Sequence, residues 1–375
     1  MKKAKFIEYS TDKQCVLSLD KTTLITENIN NGKSRTTEKT MSNDEAGLKE
    51  YDKKRFATLK KGYVELNDKP KKGEAFMHYY VGGGYTGCLS FTKVADAFYI
   101  YKCVEDNVDV IMCVDKAGRV IREDISVAKR LVWDMEYISS SNEILLDLDH
   151  HIYLYNVDTG EFTKVLESPK RASNSVLTIL NNQIAFGSGK QLKVWSRQKE
   201  DVFVRELTLA DYHHNTPFSI ALTGDGKLLA IHTKVGEIEV IEISTGEVVQ
   251  IIKGGFEIVK QMRFVEDGTT LAIREMYGDW ALYFYSVTTG EMIEKKGLQI
   301  VNHVRSHQVD AFCFNEDESL LVQKNMTTAY VFDYRKEKLL YSFELEHCVK
   351  SAELKIIEEQ LAVRTDYGCF SLYRV

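Results

Sequence analysis

The chain has 375 residues, of which 44% are hydrophobic and 28% charged, and its formal net charge is −6. These values argue against an intrinsically disordered chain and allow one large core or two domains. The 20 Tyr and 17 Phe beside only three Pro favour strands, because aromatic side chains suit pleated sheets and proline interrupts their hydrogen bonding. We therefore expect a mainly β protein.

Targeting signals and cysteine pairs are also missing from the sequence. Glu8 interrupts the amino terminus before any apolar run, and no later stretch reaches the roughly 18 apolar residues of a membrane span. The seven cysteines contain no Cys-x-x-Cys pair, which argues against a disulfide framework and a zinc ribbon. The sequence predicts a cytoplasmic protein with reduced thiols and no membrane contact.

Charge is distributed unevenly along the chain. Residues 1–72 carry 17 Lys and Arg against 11 Asp and Glu, a balance of +6, whereas the remainder has a balance of −12. This change of sign predicts a domain boundary near residue 72, with an α+β module over 1–72 and a second domain over 75–375.

The first elements in chain order belong to the basic module. Its first 30 residues predict two or three strands, and a helix follows from about Asn43 to Lys60. Ser42 is placed to cap this helix, with Glu45 completing a capping box, and Gly62 is placed to end it.

Short motifs in this module resemble the WGR domain. The match consists of Lys60, Lys61, Gly62 and Tyr63 after the helix, together with the glycine turn Gly32-Lys33-Ser34. The Trp-Gly-Arg triplet that defines the family is absent between Leu24 and Gly32. The resemblance implies a nucleic-acid or interdomain binding module, for which the candidate contacts are Lys33, Arg35, Lys60 and Lys61. Because acidic residues alternate with the helix lysines, a solvated helix face is the alternative.

The rest of the chain repeats one pattern. The segments 152–162, 238–248 and 282–292 each alternate apolar and polar residues and then turn through Thr-Gly, at Gly160, Gly246 and Gly290. A cruder version ends at Gly118. Such a segment predicts a strand that enters a hairpin, where glycine supplies a positive φ. With the strand pairs that precede each copy, the sequence predicts seven units of four strands, a seven-bladed β-propeller.

The ends of the repeat predict how the last unit is completed. That unit stops at Val375 after three strands, so its fourth strand must come from elsewhere in the chain. The apolar segment 75–81 is placed to pair beside the carboxyl-terminal strand, which would remove an exposed sheet edge.

These repeats resemble WD40-like propellers over about residues 80–375. The segment 306–322 resembles that family's blade entry, with His307 in the histidine position, and 194–196 and 331–333 approximate its closing dipeptide. The predicted fold is therefore a WD40-like seven-bladed β-propeller preceded by a small WGR-like module.

Basic and aromatic residues recur in the loops that enter the innermost strand of each predicted blade. The candidate partner-binding residues are Lys129, Arg130, Lys170, Arg171, Tyr212, His213, His214, Phe256, Arg305, His307 and His347. A basic rim on an acidic body would select an anionic partner, with the aromatic side chains as anchors. Since adjacent loops carry aspartates, solvated loops are the alternative.

Catalytic and cofactor motifs are not recognisable. The glycines at 82–84 lack the Lys-Ser/Thr of a phosphate loop, so we expect a crossing between blades there. Asp147, Asp149, His150 and His151 could bind a metal, but neighbouring strand residues face opposite ways, which favours a tight hairpin tip. We expect no metal and no cofactor.

The sequence therefore predicts a non-enzymatic interaction or scaffold protein that binds a protein or peptide partner. A nucleic-acid-associated regulator that uses the basic module is the alternative, and a propeller hydrolase or lyase is the third. Fold alone does not decide among them.

Overall fold

The structure, a computed structural model, describes residues 1–82, 90–102, 109–127, 131–148, 151–166, 176–180, 183–188, 191–196, 199–206, 219–255, 257–276, 279–300 and 308–375. The chain divides into two compact units. The first consists of Met1–Arg130 and Phe343–Val375, and the second of Leu131–Ser342. The sequence-based boundary near residue 72 falls inside the first unit and stays a prediction.

The first unit contains two sheets and one α-helix among its described residues. Its elements are β1 Lys2–Glu8, β2 Lys13–Asp20, β3 Thr23–Asn30, β4 Lys33–Thr40, α1 Asp44–Leu59, β5 Val64–Leu66, β6 Ala75–Tyr80, β7 Phe91–Val94, β8 Ala97–Lys102, β9 Val110–Asp115, β10 Val120–Ser126, β30 Ala352–Ile357, β31 Gln360–Thr365 and β32 Cys369–Arg374. One sheet has nine strands in the order β30-β31-β32-β6-β5-β1-β2-β3-β4, and the other has four in the order β10-β9-β8-β7.

Four strands precede the helix, where the sequence predicted two or three. In β1 and β2 alternate residues such as Ala4, Phe6, Cys15 and Leu17 are buried, which gives the period-two pattern of a half-covered sheet. In β4 all eight side chains are exposed, so hydrophobic periodicity does not reveal this strand.

Helix α1 covers the buried face of these strands. Tyr51 and Leu59 pack against Phe6, Leu17 and Leu24 in one hydrophobic cluster.

No helix among the described residues is long and apolar enough to cross a membrane.

The capping prediction for this helix was wrong by one residue. Asn43 is the N-cap, with extended backbone, and its side chain accepts a hydrogen bond of 2.8 Å from the Ala46 amide. Ser42 lies one residue too early for that contact. Gly62 has φ +89° just beyond the helix end, which confirms the predicted stop.

Strand β6 lies between the carboxyl-terminal strand β32 and the amino-terminal strand β5 in the nine-stranded sheet. It pairs antiparallel with β32, from Cys369 opposite Tyr80 to Tyr373 opposite Ala75, which confirms the pairing predicted for 75–81. The other edge of β6 pairs with the short β5, where Glu65 lies opposite His78. The carboxyl-terminal strands β30 to β32 and the amino-terminal strands β1 to β4 therefore belong to one sheet, connected through β6 and β5.

The second unit consists of successive antiparallel sheets. Its strands are β11 Val132–Ile138, β12 Glu143–Leu148, β13 His151–Asn156, β14 Phe162–Leu166, β15 Val176–Leu180, β16 Gln183–Ser188, β17 Gln191–Ser196, β18 Lys199–Glu206, β19 Ile220–Leu222, β20 Leu228–Lys234, β21 Glu237–Glu242, β22 Val248–Lys253, β23 Val259–Val265, β24 Thr270–Glu275, β25 Leu282–Ser286, β26 Ala311–Phe314, β27 Leu320–Asn325, β28 Thr328–Asp333 and β29 Lys338–Glu344. The sheets are β11-β12-β13-β14, β15-β16-β17-β18, β19-β20-β21-β22, β23-β24-β25 and β26-β27-β28-β29.

The repeated Thr-Gly turn has one geometry in its three copies. Gly160, Gly246 and Gly290 have φ of +74°, +74° and +73°, as predicted. Each glycine amide donates to the carbonyl four residues earlier, at 2.8 to 2.9 Å. Gly118 also has a positive φ, but its amide donates to the carbonyl of Asp115, three residues earlier.

The number of four-stranded blades was overestimated. Five separate four-stranded sheets are present in the described residues, instead of seven. After β25 the chain makes an isolated bridge at Met292 and a short 3-10 helix over 296–298, so no fourth strand forms there. The three carboxyl-terminal strands with β6 belong to the nine-stranded sheet, because β5 pairs with the free edge of β6.

Candidate functional site

Most of the loop residues predicted to bind a partner lie outside the described residues. These are Lys129, Arg130, Lys170, Arg171, Tyr212, His213, His214, Phe256, Arg305 and His307. Asp149 and His150 of the candidate metal site also lie there. Partner binding by these loops stays a prediction.

His347 is the one member of that set within the described chain, and its side chain is only 8% exposed. The ring stacks on Phe56 at 5.8 Å and meets the ring of His78 edge-on at 5.0 Å. Its backbone carbonyl accepts a hydrogen bond of 2.6 Å from the Thr365 hydroxyl. In this conformation the imidazole contributes to packing and offers a partner little surface.

The four candidate nucleic-acid contacts form two separate groups. Lys33 and Arg35 are both exposed on β4, two residues apart and therefore on one face. Lys60 lies near β6, far from β4 along the sheet, and its ammonium group is 6.0 Å from the ring centre of Tyr80 on β6. Five interstrand steps separate β4 from β6, a distance of about 24 Å at the usual strand spacing. The structure does not bring these cations into one patch.

A buried ion-pair network in the first unit centres on Arg55 of α1. Its Nε and Nη2 donate to Glu65 Oε1 at 3.1 and 2.6 Å. Its Nη1 and Nη2 donate to the two carboxylate oxygens of Glu346 at 2.7 and 3.1 Å. One guanidinium group therefore joins the helix, strand β5 and the segment that precedes β30.

His78 extends the network from β6. Its Nε2 lies 2.8 Å from Glu346 Oε2, and its Nδ1 lies 2.7 Å from Ser371 Oγ on the neighbouring strand. A carboxylate only accepts, so Nε2 carries the proton in the contact with Glu346. The backbone amide of Glu346 also donates to the Tyr373 hydroxyl at 2.8 Å.

The electrostatics of this network favour charged carboxylates and a neutral His347. Burial alone would raise the pKa of Glu346, but the hydrogen bonds from His78 and Arg55 outweigh it and hold that pKa well below its usual range. The pKa of Glu65 is also lowered, because His347 and Arg55 outweigh its burial. Burial, with the nearby His78 and Arg55, lowers the pKa of His347.

An open cleft of about 750 Å³ lies over this network in the first unit. Its lining includes the network residues Arg55, Glu65, His78 and Glu346, together with the cations Lys2, Lys3, Lys5 and Lys69 and the anions Asp68, Glu74 and Glu344. The positive and negative charges of this lining balance, and the four network residues already bind one another. The network therefore stabilises the unit and offers a ligand little unsatisfied charge.

The contacts of Ser371, His78 and Glu346 follow the order of a Ser-His-acid triad. Ser371 has no exposed surface, however, and it does not line the cleft. A substrate carbonyl has no route to its Oγ in this structure, so we assign the arrangement to packing between β6 and β32.

Two of the four candidate metal residues, Asp147 and His151, lie in strands that the structure describes. Strands β12 and β13 pair antiparallel with Leu148 opposite His151, which agrees with the predicted hairpin, and Asp147 is buried within β12. No group of three or more potential metal ligands occurs among the described residues. Five cysteines of the described chain, at 15, 113, 313, 348 and 369, form no disulfide bond.

The Arg55 network was not predicted from the sequence, although the sequence carries one local signal for it. Gly47, Tyr51, Arg55 and Leu59 are spaced by four along α1 and are all buried. A charged residue within such a stripe requires a buried partner. Glu65, His78 and Glu346 could not be assigned as those partners, because their contacts depend on the tertiary fold.

Comparisons with known proteins show the fold and no family. No family model matches the chain, and no curated protein matches it. A crystal structure of the mitotic checkpoint complex contains a WD40-type chain that aligns with a TM-score of 0.62 at 12% identity, covering 82% of this chain and 98% of that chain. The crystal structure of the computationally designed Ika8 protein aligns with a TM-score of 0.55 at 14% identity, covering 79% and 98%.

These likenesses show a mainly β, propeller-like fold. The resemblance of residues 1–72 to WGR domains receives no support from them. Identities of 12% and 14% show the fold alone and carry no activity over to this chain.

Proposed function

We propose that the protein is a non-enzymatic interaction scaffold that binds a protein or peptide partner. The observation that carries this proposal is the likeness of its successive antiparallel sheets to a WD40-type chain found in a multiprotein complex. Folds of this kind bind through loops that a rigid body holds in place. The ionisable groups around Arg55 hydrogen-bond one another, which supports a binding role over a catalytic one.

Loop charge suggests the kind of partner. Lys129, Arg130, Lys170 and Arg171, which the sequence predicts to lie in loops, are cationic, whereas residues 73–375 carry a net charge of −12. Local positive charge on an acidic body would favour an acidic protein surface and would steer its approach.

The first experiment is affinity capture by the tagged full-length chain, with nuclease added to half of each sample. We expect a discrete protein to be retained despite nuclease, and at least tenfold less of it with Lys129→Glu/Arg130→Glu or Lys170→Glu/Arg171→Glu. Lys53→Glu/Lys54→Glu on α1 is the matched control for charge. A truncation at residue 72 is unsuitable, because it removes β5, which pairs with β6.

Nucleic-acid binding is the second candidate function, supported by the exposed Lys33 and Arg35. If the protein has this function, nucleic acid should be recovered with the captured chain. The amount recovered should fall steeply as the salt concentration rises, and it should also fall in the Lys33→Glu/Arg35→Glu variant. Retention that nuclease abolishes would replace the scaffold proposal with this one.

A further inference from the structure

Strand β4 forms one edge of the nine-stranded sheet. It is bonded to β3 alone among the described strands, and all eight of its residues pair with β3 in one unbroken register from Thr23 opposite Thr40 to Asn30 opposite Lys33. It contains no proline and no bulge, and every side chain in it is exposed. Of the features that commonly block strand addition at a sheet edge, β4 therefore has only its charged side chains.

The backbone of this edge can accept another strand. Alternate residues of an antiparallel edge strand direct their N–H and C=O groups away from the sheet. Eight residues span about 27 Å at 3.4 Å per residue, which is room for a partner segment of similar length. Main-chain hydrogen bonds would then supply affinity, as in other cases of β-strand addition.

The two faces of β4 differ in charge. Lys33, Arg35 and Lys39 share one face, and Lys39 Nζ is bound to Glu50 Oε1 of α1 at 2.7 Å. Lys33 and Arg35 lie on that face beyond this ion pair, opposite Asn30 and Asn28 of β3. Cations two residues apart match acidic side chains two residues apart on an added strand.

The opposite face of β4 does not favour further acids. It carries Glu38, and the Ser34 hydroxyl donates to Glu27 Oε1 at 2.8 Å. An added strand would therefore present acidic residues on one face and neutral or basic residues on the other. This requirement specifies a segment with Asp or Glu at every second position.

A second copy of the chain does not meet this requirement. A twofold pairing of β4 with itself places Arg35 opposite Arg35 when centred on residue 35, Lys33 opposite Lys39 when centred on 36, and Arg35 opposite Lys39 when centred on 37. Like charges directly opposite one another are destabilising. The cations of β4 therefore disfavour self-association and favour an acidic partner.

We propose that β4 is a docking edge that binds an extended segment of a partner protein with acidic residues at alternate positions. This inference deepens the protein-binding role proposed above and rests on it, but it concerns other residues than the loop cations. A failure at β4 would leave capture through Lys129, Arg130, Lys170 and Arg171 unaffected, so the two failures are distinguishable.

The test is fluorescence anisotropy with the full-length chain and a labelled ten-residue peptide that alternates glutamate with valine or threonine. We expect saturable binding that weakens at least tenfold with Lys33→Glu/Arg35→Glu and less than twofold with the control Lys53→Glu. A peptide of the same sequence, N-methylated at alternate residues to remove one edge of backbone donors, should bind at least tenfold more weakly. Hydrogen exchange should show new protection confined to 33–40.

Three results would overturn the proposal. The first is no saturation by the peptide at millimolar concentration, and the second is equal binding of the N-methylated peptide, which would show attraction without strand addition. The third is binding of single- or double-stranded DNA or RNA, lost in the same double variant, at concentrations where the peptide does not bind. That result would assign Lys33 and Arg35 to phosphate contacts.

Discussion

Arg55 and Glu346 lie 291 residues apart in the sequence, yet two hydrogen bonds of 2.7 and 3.1 Å join the guanidinium group to the carboxylate. Arg55 belongs to the helix that follows the amino-terminal strands, and Glu346 precedes the three carboxyl-terminal strands. The same guanidinium also binds Glu65. This contact ties together the two segments of the chain that form the first unit.

We predict that Arg55→Met lowers the free energy of unfolding by about 3 kcal/mol, measured by urea denaturation. Removing one member of a buried ion pair typically costs 3–5 kcal/mol, because the remaining charge is left uncompensated. The lower end of that range applies because the Glu346 side chain is 41% exposed, whereas Glu65 stays buried.

Two further variants separate charge from packing at Arg55. Lys39→Met removes the exposed ion pair with Glu50 and should cost at most about 1 kcal/mol. Adding Glu65→Leu to Arg55→Met should recover part of the loss, since the buried carboxylate is then gone. Equal losses from Arg55→Met and Lys39→Met would contradict a structural role for the network.

We predict that acid destabilises the protein between pH 6.5 and 4 through His232. This side chain is buried, and burial lowers its pKa to about 4 from an ordinary value of 6.5. The unfolded chain therefore binds the proton more readily, so the stabilisation is complete above pH 6.5 and is lost as the pH falls to 4. The loss attributable to His232 is about 3 kcal/mol, at 1.36 kcal/mol per pKa unit.

Thermal melting at pH 7.0, 6.0, 5.0 and 4.5 tests this pH dependence. The His232→Gln variant should lose less stability than the unaltered chain over the same range. The His232→Gln variant should still lose some stability as the pH falls, because the pKa of His347 is lowered as well. Identical slopes for the two proteins would contradict the assignment to His232.

We predict that Gly118→Ala destabilises the protein more than Gly32→Ala does. Both glycines have φ near +75°, so both substitutions incur the cost of about 1–2 kcal/mol for a left-handed residue with a Cβ. At Gly118 the added Cβ would also lie 2.7 Å from Cγ1 of the buried Val64, whereas Gly32 has nothing within 4 Å. Overpacking should add about 1–3 kcal/mol at Gly118.

Chemical denaturation of the two alanine variants measures that difference directly. An additional Val64→Ala substitution should reduce the gap between the Gly118 and Gly32 variants by removing the contacted methyl groups. A Gly32 variant as unstable as the Gly118 variant would show that backbone strain alone sets the cost.

We predict that iodoacetamide modifies Cys348 of the native protein well before Cys369. Cys369 has no exposed surface, and burial raises the pKa of its thiol to about 12, so its thiolate is scarce at neutral pH. Cys348 is partly exposed. Mass spectrometry of timed digests should show at least tenfold faster labelling at Cys348, and the difference should disappear in urea. Rapid native labelling of Cys369 would contradict the packing of β32 against β6.

Local sequence patterns predicted the turns and the helix because the forces that fix them are local. The positive φ of Gly160, Gly246 and Gly290 follows from a turn that only glycine adopts without strain. The helix was placed within a residue of its observed bounds, and its cap was assigned to Ser42 instead of Asn43 because both residue types cap helices well.

Strand β4, the number of blades and the Arg55 network could not be predicted from local patterns, because they depend on tertiary contacts. Strand β4 has no apolar residue, so it exists because β3 pairs with it and not because its own pattern specifies a strand. The predicted blade count exceeded the observed five for two reasons: the segment after Gly290 forms no fourth strand, and pairing of β5 with β6 merges the carboxyl-terminal strands into a nine-stranded sheet. The partners of Arg55 come from positions 10 and 291 residues away, which no local pattern connects.

The most direct test of the interaction-scaffold proposal is isothermal titration of a captured, nuclease-treated partner into the purified full-length chain. The proposal predicts saturable one-to-one binding with a Kd of about 1 μM or tighter, equivalent to about −8 kcal/mol, in the absence of nucleic acid. It also predicts at least tenfold weaker binding for the Lys129→Glu/Arg130→Glu variant. Heat of binding that vanishes once nucleic acid is removed would contradict it.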